Sequence, residues 1–145
     1  MKHLKKAAVF LLLAFTVTPT FSQSTLLAGT WRLTAADKIL PDGSRVADFG
    51  EAPRGIAIFT ADGHYVVEIF QTDGKDTVQN ISCHFGTYTV DPSKGTITFH
   101  IDRASHAAWD GTTSVRAFTL EGDQLTWRVQ PRPDGSIPVS VFSRM

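Results

Sequence analysis

Only one cysteine, Cys83, stands in the chain, so no disulfide can form within it and the core must hold the fold unaided. Net charge is absent too. Lysines plus arginines number 14, as do aspartates plus glutamates, and no basic tract suggests a nucleic-acid surface. No apolar run approaches the roughly 20 residues of a membrane-spanning helix. The run Ala7 to Val17 instead follows Lys2, Lys5 and Lys6 and leads to Pro19 and Thr20-Phe21-Ser22. A basic start, a short apolar stretch and small residues at both positions tested by a signal peptidase predict a secretory signal over residues 1–22, cleaved after Ser22. The rest, 23–145, is short enough for one core and one domain. Losing the leader removes three lysines and no acid, leaving the mature chain at −3. The expected compartment is secreted and periplasmic, and the expected protein is not membrane-spanning.

Helical periodicity is likewise missing beyond the leader. What takes its place is a series of short runs rich in Val, Ile, Thr, Phe and Tyr, separated by turn residues. Strands are expected near 29–36, 54–61, 64–71, 83–91, 95–102, 113–121, 123–130 and 138–145. Asp62-Gly63 reads as a type I′ hairpin turn, Asp91-Pro92-Ser93-Lys94-Gly95 as a longer one, and Glu121-Gly122-Asp123 as another tight reversal.

Connection lengths then orient the strands. The links two-to-three, four-to-five and six-to-seven are tight. Those at Asp37–Pro53, Thr72–Ser82, Arg103–Thr112 and Pro131–Ile137 are long. In an up-and-down meander alternate connections lie at opposite ends, so the long loops gather into a mouth and the tight turns into a base. Eight antiparallel strands closed in this way form an all-β barrel whose interior is either filled or holds one small ligand. The first strand starts at the base and the last ends there, which brings Trp31 and Arg144 together as a plug of indole and guanidinium.

Gly29-Thr30-Trp31-Arg32-Leu33 with a last-strand arginine resembles the lipocalin arrangement. Further stretches sharpen the likeness: Leu40-Pro41-Asp42-Gly43, Phe59-Thr60-Ala61-Asp62-Gly63 with Tyr65, Phe85-Gly86-Thr87-Tyr88, and Leu120-Glu121-Gly122-Asp123. Together they resemble the small lipocalin-like domain family of bacteria and fungi across nearly the whole mature chain. The resemblance implies a lipocalin-like barrel with a pocket and leaves the chemistry open. Many members carry a longer segment where Gln71 to Ser82 here is compact and polar.

Strand alternation puts Trp31, Leu33 and Ala35 on one face, as it does Ile56 and Ile58; Tyr65, Val67 and Ile69; Ile97, Phe99 and Ile101; and Leu125, Trp127 and Val129. These are the expected interior. Glu68, His100, Asp102, Arg116 and Arg128 fall opposite and are expected outside. Phe59, Phe70, Phe118 and Leu120 share that second face, and a single bulge would invert a strand. Should His100 and Arg116 point inward, they would join Glu68, His84, Tyr88 and His106 as polar groups near the mouth. Trp109, in the loop Arg103–Thr112, is a candidate lid or loop anchor, and Asp37–Pro53 is a second lid candidate anchored by Phe49.

The leading expectation is a carrier for a small hydrophobic or amphipathic molecule, held by Val67, Ile69, Phe85, Phe99, Ile101, Trp109 and Arg116. A second is an enzyme of isomerase, cyclase or hydrolase type, using His100 with Tyr88 or Glu68 as acid and base. A third is a filled barrel that meets a protein partner through its loops or outer face. His64, His84, His100 and His106 lack the spacing of a metal site, and neither a metal nor a cofactor is called for.

Overall fold

The computed structural model describes residues 25–72 and 78–145. The expected leader, 1–22, lies outside these. Among the described residues no helix is long and apolar enough to cross a membrane.

The β-branched and aromatic runs form strands β1 (Gly29–Ile39), β2 (Arg45–Ala47), β3 (Arg54–Phe59), β4 (His64–Thr72), β5 (Val78–Asp91), β6 (Thr96–Ala104), β7 (Thr113–Glu121), β8 (Gln124–Arg128) and β9 (Ile137–Arg144). From β3 to β9 each strand pairs antiparallel with the next, β1 pairs with β3, and β9 returns to β1. Closure leaves an eight-stranded up-and-down antiparallel barrel of lipocalin-like form. The ninth strand, β2, is a short addition that pairs with the last three residues of β1.

Several expectations change in detail. β5 starts at Val78, so the described residues of the link expected at 72–82 are strand, and β4 and β5 run on together as an extended ribbon, Thr72 facing Val78. The reversal before β4 spans Thr60 to Gly63, closed by the Gly63 N–H to the Thr60 carbonyl (3.1 Å), with Ala61 and Asp62 at its centre. It is therefore not a two-residue Asp62-Gly63 turn. In β1, Thr34 is an extra residue between the pairs Leu33–Phe142 and Ala35–Val141. This bulge turns Ala36, rather than Ala35, fully inward. In β3 the expected face is inverted: Ala57 and Phe59 are buried, whereas Ile56 and Ile58 are only half-buried. Ala57 pairs with Trp31 on one side and Val67 on the other, where a small residue leaves room for the indole.

The tight turns meet at the base. There Trp31, wholly buried, donates its indole N–H to the Leu27 carbonyl (2.9 Å). The Arg144 guanidinium lies 4.1 Å from the Trp31 ring centroid and donates to the Ala28 and Leu26 carbonyls at 2.8 and 3.3 Å. Above this floor Phe59, Tyr88, Phe99, Trp127 and Phe142 fill the lower barrel, with Phe99 and Trp127 edge to face at 5.8 Å. The aromatic packing thus stops part of the way up.

Candidate functional site

A cavity of about 630 Å³ occupies the upper barrel, where the loops after β2, β6 and β8 meet. Ile69, Ile101, Val129 and Val139 supply apolar wall, and Phe49 and Trp109 stand among the loops. Phe49 packs on the core, and its N–H, like that of Asp48, reaches the Ala36 carbonyl beside the β1 bulge. Trp109, 38% exposed, sits on a 3₁₀ turn and makes edge contacts with His84 (6.2 Å) and His106 (5.4 Å). Asp48 joins two loops across the mouth, since Arg132 donates to both of its carboxylate oxygens at 2.8 and 2.6 Å.

Arg116 is the polar centre of the cavity. Only 6% exposed, it lies on the inward face of β7 with Phe118 and Leu120, which corrects its expected place outside. The guanidinium stacks near Phe99 (4.7 Å) and Trp127 (5.6 Å), so its weakly hydrated faces rest on aromatic rings. Its Nη2 lies 3.1 Å from His84 Nε2, and its Nε lies 3.4 Å from Ser114 Oγ. Among the described residues no carboxylate forms an ion pair with it.

The histidine tautomer follows from these contacts. Arginine has no acceptor, so His84 Nε2 must accept and Nδ1 must carry the proton. That proton points to Tyr65 Oη, 2.8 Å away. Burial, reinforced by the neighbouring Arg116 charge, holds the His84 pKa down at about 3. His84 is therefore neutral at physiological pH. Burial also draws Arg116 down to about 10, still well above neutrality, and pushes the Tyr65 phenol well above its usual value. The result is a fixed cation braced by a neutral imidazole and a neutral phenol.

The other expected residues are scattered. Ile69, Ile101 and Trp109 line the cavity with Arg116, whereas Val67 and Phe99 are buried in the core. Phe85 is 46% exposed and faces away from the interior, because its neighbour His84 takes the inward position. His100 is also outside, 3.2 Å from the Thr113 hydroxyl. Glu68 alternates outward between Val67 and Ile69, with one carboxylate oxygen 4.0 Å from Cys83 Sγ. Tyr88 is buried low in the barrel and donates to the Thr60 carbonyl at 3.0 Å. His100, Tyr88 and Glu68 consequently share no site. The Cys83 thiol has its pKa raised by burial and by Glu68, the opposite of activation.

Tyr65 was legible as an interior residue but not as the support of His84, and the Asp48–Arg132 pair spans 84 positions that no local pattern connects. Among the described residues no three His, Cys, Asp or Glu side chains gather as a metal site. Comparisons with protein-family models, curated proteins and solved structures find no match to this chain.

Proposed function

We propose that this chain is a secreted, periplasmic member of the lipocalin-like domain family that carries a small hydrophobic or amphipathic molecule at the long-loop end of its barrel. The observation that supports this reading is the 630 Å³ cavity above the aromatic floor. Its size falls among those of ordinary small-molecule sites, and its mix of apolar wall with a few converging polar groups suits an amphipathic guest. Affinity would come mainly from buried apolar area, at about 25 cal/mol per Å². The polar groups would set the guest's pose.

The enzyme reading draws less support. A general base works best with a pKa near the operating pH, and His84, the histidine beside Arg116, is held far below it. Native mass spectrometry of the chain purified from a periplasm without detergent tests the carrier reading. A discrete added mass that disappears on denaturation is expected. A folded chain that shows no adduct and takes up no neutral apolar dye would overturn it.

A further inference from the structure

We propose that the cavity selects a monocarboxylate, an apolar molecule whose single carboxylate seats against Arg116 at the cavity floor. This rests on the ligand-carrying reading and adds the chemical class of the guest.

Charge pairing around the wall leads to it. Asp37 lines the cavity and is answered by Arg45 at 2.7 Å; Asp48 is answered by Arg132 at 2.6 Å and by Lys38 at 3.6 Å. Arg116 lines the same cavity and has no acidic partner among the described residues. Arg116 is therefore the lining cation left without an acidic partner among the described residues, and one carboxylate on the guest would supply it. An isolated buried charge is costly, and stacking on Phe99 and Trp127 offsets only part of that cost.

Hydrogen bonding agrees with the pattern of charge pairing. Two nitrogens of the guanidinium have the neutral partners His84 and Ser114, while Nη1 has no protein acceptor among the described residues. His84 is already committed as an acceptor to Arg116, which fixes the fork in place. A planar carboxylate matches the geometry that a guanidinium presents.

Depth sets the orientation of the guest. Arg116 rests on the wholly buried Phe99 and Trp127, whereas Phe49 and Trp109 belong to loops at the mouth. The carboxylate would enter first and leave the apolar tail against the upper wall.

The test uses the wild-type chain at pH 7.5, with N-phenyl-1-naphthylamine as a neutral fluorescent probe and decanoate, methyl decanoate and decanol as competitors. Uptake of the probe establishes an accessible apolar cavity. Decanoate should then displace it about 10- to 100-fold more effectively than the ester or the alcohol, the range expected of hydrogen bonds to a charged group. In Arg116→Met that preference should shrink to within about threefold, and Arg116→Lys should restore part of it. Probe uptake with no preference for the acid in the wild-type chain would overturn the monocarboxylate inference and leave the carrier reading standing. Failure of every ligand, the probe included, would overturn both. The wild-type comparison does not depend on any variant folding.

Discussion

A neutral histidine pressed against a cation has a consequence for stability. His84 ionises near the ordinary histidine value of 6.5 when unfolded and at about 3 when folded. Below pH 6.5 the unfolded chain binds the proton more readily, so stability falls as pH drops through this window and levels off near 3. Between pH 7 and pH 5 the site should account for a loss of about 2 kcal/mol. Urea unfolding of wild type and His84→Asn at both pH values checks this: the variant should lack that increment of acid sensitivity, and equal slopes would contradict the assignment. Arg116 shows why such a centre was only half legible. Charge argued for the outer face, while alternation with Phe118 and Leu120 argued for the inner one. The aromatic bed of Phe99 and Trp127, which decides between them, comes from strands β6 and β8 and is invisible to local pattern. Phe85 shows the reverse error, since its large apolar side chain suggested an interior place that alternation with His84 denies it.

Strands were legible as elements because turn residues and β-branched runs are local signals, whereas their faces depended on events one residue long. The Thr34 bulge reset the alternation of β1, and β3 took the face that suits Trp31 across the sheet rather than the face with more isoleucine. Glycine has a comparable role in β5. A Cβ at Gly86 would run into the His100 carbonyl and come within 2.9 Å of the Asp102 nitrogen, at the point where the β5–β6 register skips a residue. Gly86→Ala must force these backbones apart and should cost about 1–3 kcal/mol, the usual range for overpacking. Chemical denaturation measures that loss directly. A neutral substitution would mean that the bulge relaxes freely.

At the level of the whole molecule, the fold closes through contacts between chain positions more than a hundred residues apart. Arg144 contributes a stacked cation and two hydrogen bonds to carbonyls beneath Trp31. Arg144→Met should therefore lower unfolding free energy by about 1–3 kcal/mol, with the denaturant slope unchanged because the same surface is exposed on unfolding. Equilibrium urea titration supplies both quantities. The general shape of this closure was readable from the alternation of long and tight connections. The size of the upper cavity was not, because it depends on where the aromatic filling stops and on how Asp48 and Arg132 draw the loops together.

Pairing of the first strand with the last also fixes how the molecule presents itself to its surroundings. Met145 donates its backbone N–H to the Thr30 carbonyl at 2.9 Å, placing Met145 beside the first residues of β1 at the closed end. A tether or fusion partner carried on Met145 would hang from the base, opposite Trp109 and the cavity loops. On a sensor surface, such an attachment would hold the barrel upright with its opening toward solution, ready for immobilised binding assays.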